Sequence, residues 1–200
     1  MAKVVQFPGN APKQLGPQKV RLSGRSARRK ENPAQLSLFT GRMVSINRNN
    51  IFEQALAADE AGHTQQARAL YQQAIASGNQ PADAWCNLGI IEFAGGNLAG
   101  AISAFSHCLS QSPRHFEAHY NMANAWAEAG NYQLAELHYR MAIDIAPDFP
   151  NSYYNLGLTL ALKKDYAAAI ENLTHYCRLT SPEEHVQARE LIAHLRTLVA

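Results

Sequence analysis

Three asparagines, Asn87, Asn121 and Asn155, stand 34 residues apart in the chain. An asparagine side chain carries both a donor and an acceptor, so a row of them can either pair with the amides of an extended polypeptide whatever its sequence or serve only local packing. His115 and His119 are four apart, a spacing that holds a metal ion when both lie on one helix. Here the surrounding pattern places His115 in a turn, so the two read as an ordinary surface pair. Cys86, Cys108 and Cys177 are odd in number and far apart, with no C-x-x-C pair. They point neither to a disulfide framework nor to a zinc site, and Cys108 occupies a small-residue core position. The sequence shows no glycine-rich phosphate loop, no nucleophile elbow and no carboxylate pair implying a substrate cleft. It names no catalytic residue, metal ligand or cofactor, and a non-enzymatic role is expected.

The elements that must position the asparagines follow from composition and period. The chain has 200 residues, 46% of them hydrophobic and 17% charged, which suits one folded body with a tail. No apolar run approaches the length of a membrane span, and MAKVVQFPGN lacks the apolar core of a secretory signal, so a cytoplasmic location without membrane partners is expected. The net charge of +2 hides a division. Residues 1–48 hold ten Lys and Arg against one acid, and residues 49–200 hold eight against fifteen. A basic tail joined to an acidic body is the expected organisation.

From about residue 48 the sequence resembles itself with a period of 34. Ala67, Ala101, Ala135 and Ala169 form one column, and Tyr71, Phe105, Tyr139 and Leu173 follow them by four. Residues four apart share a helix face, so each pair predicts the buried stripe of a helix. Gly62, Gly96 and Gly130 form a third column, expected to end helices in the left-handed conformation. Pro113 and Pro147 close the following helices, because proline cannot continue one.

This pattern resembles the tetratricopeptide repeat, through Trp85, Leu88, Gly89, Ala101, Phe105 and Pro113 of the second unit. It departs at Glu92, where tyrosine is usual, at Ala55 and Ala123, where glycine is usual, and at Lys164, where the turn glycine is expected. The resemblance implies an all-α fold, a right-handed α–α superhelix of four helix pairs over 48–81, 82–115, 116–149 and 150–183. No unit can bury its own apolar face, so one continuous core shared by all four is expected. A C-terminal capping helix is expected over 184–200, entered through a capping box formed by Ser181 and Glu184 with Pro182 between them.

The resemblance also implies a concave face lined by the first helix of each pair and used to bind extended peptides. By repeat position this groove is lined by Phe52, Cys86, Tyr120 and Tyr154, by Asn87, Asn121 and Asn155, and by Phe93, Asn124 and Leu158. Co-chaperones of this family grip a C-terminal carboxylate with Lys and Arg, which these positions lack. Glu53, Asp59, Asp83, Glu117 and Glu128 in or beside the groove argue for a neutral or basic ligand.

Residues 1–47 carry four prolines, four glycines and ten charges and are expected to be disordered. Their densest basic patch, Arg25, Arg28, Arg29 and Lys30, is either a solubilising feature or a weak, nonspecific contact for nucleic-acid phosphates. Gln35, Leu36, Ser37, Leu38 and Phe39 read QLSLF, which resembles the short peptide that docks bacterial proteins on the DNA sliding clamp. Three readings stay open. The peptide tethers the chain to a clamp, it packs on the chain's own first helix or groove and regulates access to it, or it has no specific role. The function expected is a non-catalytic scaffold binding an extended peptide, with or without that tether, the alternative being a general assembly or chaperone-like adaptor.

Overall fold

The computed structural model describes residues 51–199, and all nine regular elements among them are α-helices. The basic patch and QLSLF lie outside the described residues. Four helical hairpins follow one another. They are α1 (Ile51–Glu60) with α2 (Thr64–Ala76), α3 (Pro81–Ala94) with α4 (Leu98–Gln111), α5 (Phe116–Glu128) with α6 (Tyr132–Ile145), and α7 (Pro150–Leu162) with α8 (Tyr166–Leu179). A ninth helix, α9 (Val186–Val199), packs on α8.

The turn inside each hairpin is made the same way. Gly62, Gly96 and Gly130 take φ of +77°, +76° and +77°, and Lys164 takes +66°. A side chain in that region costs about 1–2 kcal/mol, which the fourth repeat tolerates at an exposed turn. The next residue then serves both helices. The N–H groups of Asn97, Asn131 and Asp165 bond back to the carbonyls of Glu92, Trp126 and Leu160, each at 2.9 Å, closing the first helix. Their side chains accept from the N–H groups of Gly100, Leu134 and Ala168 at 3.1, 3.1 and 3.2 Å, capping the second. Glu92, the departure from the tyrosine pattern, is used here too: it pairs with Arg68 of the preceding repeat and accepts from Asn97 Nδ2 at 2.8 Å.

Small residues set how closely a hairpin's two helices approach. A Cβ built on Gly89 would stand 2.6 Å from the Phe105 ring, and one on Gly157 would stand 2.7 Å from Leu173 Cγ. Both neighbours are completely buried, as is the whole alanine column. The even-numbered helices bury a single stripe, whereas α5 and α7 are buried on nearly every side. Direct approaches of α3 to α5 and of α5 to α7 place the odd-numbered helices on the inner side of the stack.

Two details differ from the sequence expectation. The core is two clusters that meet across α5, not one. Ala118, Met122 and Ala125 face the first, while Tyr120, Ala123 and Ala127 face the second, and only Trp126 packs against both. The final helix begins at Val186 rather than near 182–184. Glu184 does return to the Ser181 N–H at 2.9 Å, but residues 182–185 stay a turn, with the Glu184 carbonyl accepting from the Tyr176 hydroxyl at 3.3 Å.

Candidate functional site

The asparagine row lies where one repeat meets the one before it. Asn155 on α7 donates through Nδ2 to Tyr120 Oη at 3.1 Å and to Asn124 Oδ1 at 3.0 Å, both on α5. Asn121 on α5 donates to the Cys86 sulfur on α3, the residue 35 positions earlier, as Tyr120 is for Asn155. Asn87 on α3 meets Phe52 in that relation, which has no polar atom, and donates instead to the Tyr71 oxygen on α2. The row therefore fastens consecutive repeats together, and all three side chains are buried.

Its richest part joins the third and fourth repeats. Tyr139 Oη on α6 donates to Asn124 Oδ1 at 2.5 Å, so that oxygen accepts from both Tyr139 and Asn155. Burial pushes the Tyr120 and Tyr139 hydroxyls above the usual phenol range, which keeps both protonated as donors. The Asn124 side chain, 2% exposed, is enclosed within this group.

The other groove positions are apolar. Phe52, Tyr154 and Leu158 are buried, Phe52 against Tyr71 at 5.9 Å between ring centroids and Tyr154 against Tyr176 at 5.0 Å. Phe93 is half-buried and lines a hollow of about 390 Å³ with Leu98 and Glu128. Of the bordering acids, Asp59 accepts from the Tyr71 hydroxyl at 3.4 Å, while Asp83 and Glu117 both face His115.

His115 and His119 do not converge. His115 is the N-cap of α5, and its Nε2 faces Asp83 Oδ1 at 3.0 Å. His119, one turn into the helix, meets His138 and the Pro113 carbonyl, each at 3.0 Å. His115 instead joins Cys86 and Cys108, whose sulfurs and one ring nitrogen lie within 4.8 Å of one another. Sequence spacing gave no warning of this group, because its members come from α3, α4 and the head of α5. The available signal was in the columns. Cys86 stands where other repeats have Phe52, Tyr120 and Tyr154, and Cys108 where they have Ala74, Ala142 and Tyr176.

The thiols differ. Burial, then Cys108, pushes Cys86 well up. Hydrogen bonding from Cys86, joined by His115, brings Cys108 down to about 6 against burial. Burial opposes charge on His115, but Asp83 and Cys108 outweigh it and raise the imidazole to about 10. Cap and charge compete for Nδ1, since only the neutral ring accepts the Ala118 N–H, at 3.2 Å.

Family models described as tetratricopeptide repeat match residues 52–107, 116–149 and 138–171. No curated protein matches the chain at a significant level. Among solved structures, a tetratricopeptide repeat protein from Parabacteroides merdae ATCC 43184 superposes with a TM-score of 0.65 at 20% identity, over 74% of this chain and 59% of that one. YrrB, described as having an unusual peptide-binding site, gives 0.60 at 17% identity over 70% and 71%. The first such domain of Spaghetti (RPAP3), bound to the HSP90 peptide SRMEEVD, gives 0.56 at 18% over 60% and 95%. At these identities the likeness is one of fold. Among the described residues no helix is long and apolar enough to cross a membrane.

Proposed function

We propose, from the premise that this chain is a tetratricopeptide repeat protein, that it is a non-catalytic scaffold whose inner face binds an extended segment of a partner protein. The observation that carries the reading is the stacking of α3, α5 and α7 along one inner face, where the half-buried Phe93 borders a hollow of about 390 Å³ with Leu98 and Glu128. Such a face is where an extended segment would lie. YrrB, described as having a peptide-binding site, and the Spaghetti domain, described as bound to a peptide, support the class of ligand.

The charge of that ligand follows from the lining. The groove positions offer Asn, Tyr, Phe, Leu and Cys with no Lys or Arg, and Glu53, Asp59, Asp83, Glu117 and Glu128 stand in or beside them. An acidic peptide such as SRMEEVD finds no cation there, so a neutral or basic segment is favoured. Fluorescence anisotropy with peptides selected from a random library on the full chain tests this. Selected sequences should be neutral or basic, and SRMEEVD should bind at least ten-fold more weakly than they do. An acidic selection, or tight binding of SRMEEVD, overturns the charge assignment. A library that yields no binder overturns the groove.

A second reading rests on QLSLF, residues 35–39, and on the basic patch before it. In this reading the tail tethers the groove-bound partner to the DNA sliding clamp, and phosphate contacts add a salt-dependent component. Titrating a purified bacterial clamp with the chain and with its Leu38→Ala/Phe39→Ala variant decides it. Saturable binding lost in the variant supports the tether. Absence of binding by the unaltered chain removes it and leaves the tail as a regulator of groove access, in which case deleting 1–47 should leave peptide affinity unchanged or raise it.

A further inference from the structure

The second repeat carries a cluster that peptide binding does not use. Cys86 on α3, Cys108 on α4 and His115 at the head of α5 bring two sulfurs and a ring nitrogen within 4.8 Å of one another, with all three side chains buried. Comparison with the other repeats argues against simple packing. An aromatic position and an alanine position have both become cysteine in the same repeat, and at the following junction an imidazole stands where the flanking junctions have Pro81 and Phe149. A change that only conserved volume has no need of three soft or borderline donors aimed at one point.

Two carboxylates stand beside the ring. Asp83 Oδ1 lies 3.0 Å from His115 Nε2, and Glu117 Oε2 lies 3.4 Å from Nδ1, the nitrogen that also accepts from the Ala118 N–H. Coordination through either nitrogen exchanges one of these contacts for the metal, and a carboxylate that moves toward the sulfurs would be the fourth ligand. Asp83 is about one-third exposed, which leaves an entry path on one side of an otherwise closed group.

We propose that Cys86, Cys108 and His115, with Asp83 or Glu117, form a tetrahedral site for Zn²⁺ or a similarly soft divalent ion. Sulfur and imidazole select such ions over magnesium or calcium. Bond lengths of about 2.3 Å to sulfur and 2.0–2.1 Å to nitrogen place tetrahedral ligand atoms roughly 3.5 Å apart, so the cluster closes by rotamer adjustment rather than by moving helices. Loading is a proton exchange, not a redox step. Sulfur and imidazolium protons pass to solvent as thiolate and neutral ring bond the metal, and no oxidant takes part. A bound ion would pin α3, α4 and α5 together and set the angle between the second and third repeats, hence the curvature of the inner face.

Titration of the full chain with Co²⁺, kept reduced by a phosphine, tests the site. One equivalent should produce a thiolate-to-cobalt charge-transfer band and the strong visible bands of tetrahedral cobalt, both abolished by one equivalent of Zn²⁺. Zinc at about a hundred-fold excess over its Kd should raise Tm by roughly 5–10 °C, reversed by a chelator. Cys108→Ala and His115→Phe take residues that occupy these positions elsewhere in the array, so they preserve the fold. Each should weaken cobalt binding at least a hundred-fold, while Cys177→Ser and His119→Ala keep it. A titration without a thiolate band overturns the proposal, and so does a band that survives Cys108→Ala.

Discussion

Asn124→Ala should lower the unfolding free energy by about 2–3 kcal/mol, and Tyr139→Phe by only about 1. The difference comes from what each change leaves behind. Tyr139 is fully buried and its hydroxyl donates to Asn124 Oδ1 at 2.5 Å. Removing the amide strands that hydroxyl in the core, at about 1–3 kcal/mol, and opens a small cavity as well. Removing only the hydroxyl is milder, because Oδ1 keeps Asn155 Nδ2 at 3.0 Å. The double variant should therefore lose about 1–2 kcal/mol less than the sum of the two single changes. Urea unfolding of the four proteins measures this. Additivity within about 0.5 kcal/mol would mean that the Tyr139 hydroxyl and the Asn124 amide do not act as a pair.

That network also shows where reading the sequence stops. The Ala-x3-aromatic columns were legible because both residues lie on one helix, where a spacing of four fixes a shared face. The turn at Gly62, Gly96 and Gly130 was legible because the left-handed backbone selects glycine, and Lys164 takes the same φ without it. The asparagine row was legible as positions on the inner helices but not as bonds. What each amide meets depends on the residue 35 positions earlier, and Phe52, Cys86 and Tyr120 offer three different chemistries. The cluster at Cys86, Cys108 and His115 was less legible still. Metal-site spacing rules describe ligands on one loop or helix, whereas here one ligand pair is joined by hairpin closure and the next by the junction between repeats. His115, placed in a turn by the repeat columns despite its four-residue spacing from His119, is the cap residue of α5 with φ −79° and ψ 106°, but the two rings are buried rather than a surface pair. Local periodicity carries the helices, and contacts between helices must be built before the chemistry can be read.

The pair that His119 does form makes the array acid-sensitive. His119 Nε2 faces the Pro113 carbonyl at 3.0 Å, which places its proton there and leaves Nδ1 to accept from His138 Nδ1–H at 3.0 Å. Charging His119 replaces that acceptor with a second N–H facing the first, whereas charge on His138 is opposed chiefly by its burial. Burial, then His119, depresses His138 to about 4, and burial with the nearby His115 depresses His119 despite the Pro113 carbonyl. Asp144, the acid that lines the same hollow as His119, is engaged by Arg114 at 3.3 Å. A histidine held below its unfolded value near 6.5 binds fewer protons folded than unfolded in the interval between. Its contribution is thus complete above pH 6.5 and lost as pH falls toward 4. At about 1.4 kcal/mol per unit, His138 alone should remove about 2–3 kcal/mol of stability over that range. His138→Gln keeps a donor toward His119 but cannot be protonated, so it should flatten the decline. Urea midpoints measured at intervals from pH 7.5 to 4 for both proteins test this, with parallel curves counting against it. The consequence falls on α5 and α6, the hairpin that supplies Tyr120, Asn124 and Tyr139. Acid should therefore loosen the third repeat and weaken peptide binding before the rest of the array unfolds.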